Sequence, residues 1–87
     1  MTYIAKNLKR LRTAKIRTQD AVAIAVGVKR STYNGYENEV SVPPLEVIMK
    51  LADYFEITID NLVRLDLTRL TDFNLRQLKI IKNDSSK

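Results

Sequence analysis

Apolar residues recur at helical spacing along most of the chain. Ile4, Leu8 and Leu11 fall at i, i+4 and i+7, one stripe of an amphipathic helix, and Lys6, Lys9 and Arg10 point away from it. This pattern predicts a first helix over residues 3–14. Thr18 suits an N-cap and Asp20 suits the positive helix end behind it, so a second helix is expected through residues 21–25. It should stop before Gly27, which accepts a left-handed turn without strain. A short third helix is expected from Lys29 or Arg30 to Glu37, with Tyr33 and Tyr36 facing the core. Gly35 inside it costs about 1 kcal/mol relative to alanine. Residues 39–44 form a loop, and Pro43-Pro44 opens a fourth helix whose inward stripe reads Leu45, Ile48, Ala52 and Phe55. Thr58 caps a short fifth helix, with Ile59 and Leu62 inward.

Beyond Val63 the pattern divides. Leu65 and Leu67 alternate as in a strand, whereas Thr71, Leu75, Leu78 and Ile81 fit a helix capped at Thr71. Residues 83–87 are polar and expected to fray. The fold class is therefore all-α. Residues 1–63 form a five-helix domain, and residues 64–87 form a C-terminal extension built as a helix or a short strand.

Composition removes several functions. The 87 residues contain neither cysteine nor histidine. Disulfides are absent for lack of thiols, and zinc or other transition-metal sites lack their usual ligands, so no metal or cofactor is expected. The usual general base at neutral pH is missing as well. No nucleophile–base pair and no glycine-rich phosphate cradle is visible, so an enzyme is not expected. Nor does any stretch have the length of a membrane span or the order of a signal peptide, so the expected location is the cytoplasm.

The net charge of +5 is unevenly spread. Through Tyr36 there are eight basic residues against Asp20 alone; from Glu37 to Val63 only Lys50 opposes six carboxylates. A positive field confined to the first third suits a polyanion, although a solvated basic helix would carry the same charges.

Two short helices, a glycine turn and flanking apolar residues describe a helix-turn-helix. Val22, Ala23, Val26 and Val28 supply the small side chains where the helices cross, and Gly27 supplies the turn. Lys29, Arg30, Ser31 and Asn34 are the polar residues that such a motif needs on the part of its second helix that enters the major groove.

In these features the chain resembles the Cro/C1-type helix-turn-helix family, the XRE family of phage repressors and bacterial regulators. The resemblance runs from about Ile4 to Val63. It rests on Leu8-Lys9-Arg10-Leu11-Arg12, Thr18-Gln19, Val22-Ala23, Gly27-Val28-Lys29-Arg30-Ser31-Thr32, Tyr36-Glu37, Pro43-Pro44-Leu45-Glu46, Leu51-Ala52, and residues 55–62. It implies a lambda-repressor-like domain that binds duplex DNA as a transcriptional regulator, more often a repressor. Base reading falls to Lys29, Arg30, Ser31 and Asn34, each good contact discriminating by about 1–3 kcal/mol. Arg30 either reads a base or contacts phosphate. Phosphate binding falls to Lys9, Arg10, Arg12, Arg17, Gln19 and Asn38, with Lys6 adding to the field. Glu37 is implied to pair with Arg12, either to orient it toward DNA or to tie the first helix to the third. Several positions depart from the family pattern: Ile16 and Glu39 stand at usual glycines, Arg17 at an apolar residue, Ile24 and Ala25 at polar ones, and Gly35 at a longer side chain.

Such modules act as homodimers on palindromic operators with reading helices about one DNA turn apart. The tail offers Leu67, Leu70, Phe73, Leu75, Leu78, Ile80 and Ile81. They form a dimer contact, cap the monomer core, or, at residues 78–81, begin a further β-rich domain. The competing function is a protein-interaction module, such as the antitoxin of a toxin–antitoxin pair, using Ile24 and the tail.

Overall fold

A computed structural model describes residues 2–78. Among these residues six helices follow in order: α1 (Ile4–Ala14), α2 (Gln19–Val26), α3 (Arg30–Glu37), α4 (Leu45–Phe55), α5 (Ile59–Arg64) and α6 (Asp72–Gln77). A single 3-10 turn, Leu67–Arg69, joins α5 to α6, and no strand occurs among the described residues. Local chemistry sets most boundaries. Thr18, Thr58 and Thr71 each accept a hydrogen bond from the backbone N–H three residues on, at 3.0, 3.0 and 3.1 Å. Gly27 ends α2 at φ +78°.

One core holds the helices together. Ile4, Leu8 and Leu11 of α1 meet Val22, Ala23 and Val26 of α2, Tyr33 and Tyr36 of α3, and Leu51, Ala52 and Phe55 of α4. Tyr33 and Tyr36 face inward as expected, their rings edge to face at 6.3 Å. Leu62, Leu67 and Leu75 join the same core. The tail's Leu67 and Leu75 thus cap the monomer, Leu70 and Leu78 are half-buried, and Phe73 stays exposed. Ile80 and Ile81 lie outside the described residues, as does most of the suggested strand at 78–81.

Three expectations are corrected. Leu45 is 66% exposed, and Leu51 takes its place on the inward face of α4. Leu45 directly follows the Pro44 N-cap, and in this part of the helix Val47 and Ile48 are the apolar residues that pack against the core. Ile59 is exposed at the first position of α5, where a helix of six residues offers one deep inward site, occupied by Leu62. The alternation of Leu65 and Leu67 does not make a strand. Asn7 of α1 is fully buried and takes the backbone groups that strand pairing would need: its Nδ2 donates to the carbonyls of Leu62 and Leu65 at 2.7 and 2.6 Å, and its Oδ1 accepts from the Leu67 N–H at 2.9 Å. Asp66 then caps the 3-10 turn by accepting from the Thr68 N–H at 3.1 Å.

Candidate nucleic-acid interface

The geometry of α2 and α3 follows from the residues at their ends. Behind Gly27 the chain turns back, with the Val28 N–H bonded to the Ala23 carbonyl at 3.0 Å. Lys29 is the N-cap of α3 in an extended conformation and makes no side-chain capping bond. The first N–H groups of α3 therefore have no side-chain acceptor, and a helix end of this kind favours negative charge. Lys29, Arg30 and Ser31 are exposed around it. Open concavities lined by Arg12, Thr18, Gln19, Asp20 and Arg30, and by Gln19, Arg30, Ser31 and Asn34, join the start of α2 to the start of α3.

A chain of hydrogen bonds runs through this region. Arg12 grips Glu37 with two bonds, Nε to Oε2 at 2.7 Å and Nη2 to Oε1 at 3.1 Å. Its Nη1 donates to the Arg17 carbonyl at 2.9 Å, while the Arg17 N–H donates to the Arg12 carbonyl at 3.0 Å. These bonds brace the turn at Ile16, a β-branched residue held at φ +56°. Gln19 Nε2 donates to Glu37 Oε1 at 3.1 Å, Asn34 Nδ2 to Gln19 Oε1 at 3.0 Å, and Asn38 Nδ2 to Asn34 Oδ1 at 3.0 Å. Five side chains from α1, α2, α3 and the following turn are thereby linked.

Burial pushes the Glu37 carboxyl up, but the bonds from Arg12 and Gln19 and the adjacent Tyr33 hydroxyl outweigh it and hold it below the ordinary carboxylate value. The bond to Glu37 raises Arg12 in turn. Burial, then the neighbouring carboxylate, raises Tyr33 far above an ordinary phenol. Its hydroxyl is buried beside the pair without a hydrogen bond of good geometry. All three groups keep their charge state at neutral pH.

Most of the residues singled out from the sequence meet here. Arg30, Ser31 and Asn34 are exposed on α3 with Lys29 exposed just before it, Gln19 and Asn38 bond to Asn34, and Arg17 is exposed in the turn before α2. Arg12 is mostly buried by its bonds to Glu37 and Arg17, so its observed work is tying α1 to α3. Arg10 departs from expectation. It is engaged by the C-terminal segment, donating to the Leu70 carbonyl at 3.0 Å and pairing with Asp72 at 2.8 Å. Lys6 likewise pairs with Asp66 at 3.3 Å. Lys9, Arg17, Lys29 and Arg30 make no ion pair among the described residues. Glu39 holds the expected glycine-like conformation at φ +62° and is exposed, as is Ile24 on the outer side of α2. The connection from Gln19 through Asn34 to Asn38 goes beyond what the sequence pattern predicts. Three amides and a carboxylate spaced across two helices are its only sequence signal.

The Helix-turn-helix family pattern matches residues 8–62. The chain belongs to the helix-turn-helix family, of the Cro/C1 (XRE) type. It is 33% identical over 60 residues to the uncharacterized HTH-type transcriptional regulator YobD of Bacillus subtilis, covering 69% of this chain and 54% of that protein. It is 28% identical over 79 residues to the cryptic phage CTXphi transcriptional repressor RstR of Vibrio cholerae, covering 91% of this chain and 71% of that one. The match thus spans about half the length of YobD. The fold superposes on a transcriptional regulator from Listeria innocua with a TM-score of 0.70 at 24% identity, over 99% of this chain and 86% of that one.

Proposed function

We propose that this protein is a transcriptional regulator that binds duplex DNA sequence-specifically and reads the major groove with α3. The observation that carries the reading is the exposed start of α3. Lys29, Arg30 and Ser31 surround backbone N–H groups that no side chain caps, beside the concavities shared with Gln19 and Asn34. Arg30 and Asn34 are suited to guanine and adenine edges, and Ser31 to either donors or acceptors. Arg17, Lys9, Gln19 and Asn38 supply phosphate contacts on the flanks. Kinship to RstR, a transcriptional repressor, supports repression over activation. One module covers a short half-site, so the active form is a homodimer on a palindromic operator. Its place of work is the cytoplasm, together with the DNA it binds.

Selection from random duplexes by the purified protein tests this. The expected pool converges on a palindrome, and convergence disappears with Arg30→Ala and Ser31→Ala together. Binding without convergence would leave a basic surface but no reader, and no binding at low salt would contradict the proposal outright.

A further inference from the structure

The proposed DNA reading rests on side chains that face solvent, yet their orientation originates at a buried atom. We infer that the Glu37 carboxylate fixes the direction of the Gln19, Asn34 and Asn38 amides, so that Asn34 offers DNA its donor and its acceptor in one set order. This inference depends on α3 being the reading helix.

An ionised carboxylate only accepts hydrogen bonds. Gln19 must therefore turn its Nε2 toward Glu37, at 3.1 Å, and its Oε1 faces α3. Asn34 meets that oxygen with Nδ2 at 3.0 Å, which leaves its Oδ1 on the side of Asn38, and Asn38 answers with Nδ2 at 3.0 Å. Reversing one amide alone would set oxygen against oxygen or NH2 against NH2 at these separations. Glu37 cannot rotate away, because Arg12 holds both of its oxygens and is itself bonded to the Arg17 carbonyl. The Glu37 side chain is 2% exposed and so touches no base; it positions Asn34 through Gln19. Asn34 is exposed and keeps one amide hydrogen and one carbonyl lone pair for a ligand. Adenine presents an acceptor beside a donor on its major-groove edge, so an amide of fixed order distinguishes A·T from T·A.

Two variants of the full chain separate the possibilities. Gln19→Met keeps the length and removes both polar ends; Lys9→Ala removes a flanking cation proposed to meet phosphate and leaves the relay whole. In the DNA-free protein, Gln19→Met should move the side-chain amide NMR signals of both Asn34 and Asn38. Unmoved signals would overturn the relay whatever the protein does with DNA. On DNA, the informative base pair is the one whose preference is lost in Asn34→Ala. Inverting that pair should weaken wild-type binding on the order of tenfold. Gln19→Met should lose this discrimination and Lys9→Ala should keep it, each with affinity lowered evenly by a lost phosphate contact. Retention by Gln19→Met, or loss by both, would overturn the inference. A wild type that selects no sequence while the amide signals do respond would overturn the DNA reading, and with it the recognition half of this inference, but not the hydrogen-bond relay.

Discussion

Asn7 and Glu37 are the two polar side chains buried among the described residues, and they hold the helices by different means. Asn7 is neutral, and all of its partners are backbone atoms of the segment from Leu62 to Leu67. Glu37 is charged, and its partners are the side chains of Arg12 and Gln19. The first arrangement fastens α1 to the end of α5 and the 3-10 turn, with nothing left over. The second leads outward, through Gln19 and Asn34, to exposed amides that the proposed reading sets against DNA.

The contrast yields expectations that differ in kind as well as size. Glu37→Ala should cost about 3 kcal/mol in urea unfolding, since it strands a largely buried arginine. The double variant with Arg12→Ala should cost less than the two single changes together. Acid should act through the same pair. The folded value of Glu37 lies below the ordinary 4.5, so its contribution is present above about pH 4.5 and is lost as the pH falls through the lower folded value. Unfolding midpoints measured from pH 7 to pH 3 should fall less steeply in Glu37→Gln than in the wild type. Asn7→Ala should cost about 2 kcal/mol by leaving backbone groups unpaired in the core. The comparison would fail if that variant changed base preference once refolded and saturated with duplex. Gly35→Ala should stabilise α3 by roughly 0.5–1 kcal/mol in thermal unfolding. The added Cβ would meet Ser41 Oγ at 3.5 Å and Val40 Cβ at 3.6 Å, ordinary contact distances, and φ there is not positive. Smallest of all, Arg10→Gln should change stability by less than about 1 kcal/mol, because Asp72 is well exposed. Its affinity for duplex DNA should match that of the wild type, in contrast to Arg17→Ala.

Features governed by near neighbours along the chain are legible in the sequence itself. The threonine caps at 18, 58 and 71, the left-handed Gly27 and the inward tyrosines of α3 depend on residues within one helical turn of each other. The exposure of Lys29, Arg30, Ser31 and Asn34 is legible for the same reason, since a turn and a helix phase suffice to predict it. Contacts that join distant parts of the chain are not. Lys6 and Arg10 read as cations for DNA because Asp66 and Asp72, which occupy them, lie some sixty residues away. Asn7 sits beside the apolar stripe of α1 and carries no local sign that three backbone groups await it. Leu45 continues the stripe of α4 in phase, but a pattern of phases does not say where a helix leaves the core.

The most direct test of the account is a salt titration of binding to the selected duplex and to a scrambled one. Wild type, Arg30→Ala and Arg17→Ala would be compared. The account requires Arg30→Ala to lose the preference for the selected duplex, with a shift of about 1–3 kcal/mol. Arg17→Ala should weaken both duplexes alike and lower the salt slope by about one. An Arg30→Ala protein that keeps its preference, or an Arg17→Ala protein that loses it, would contradict the division of labour between α3 and the turn before α2.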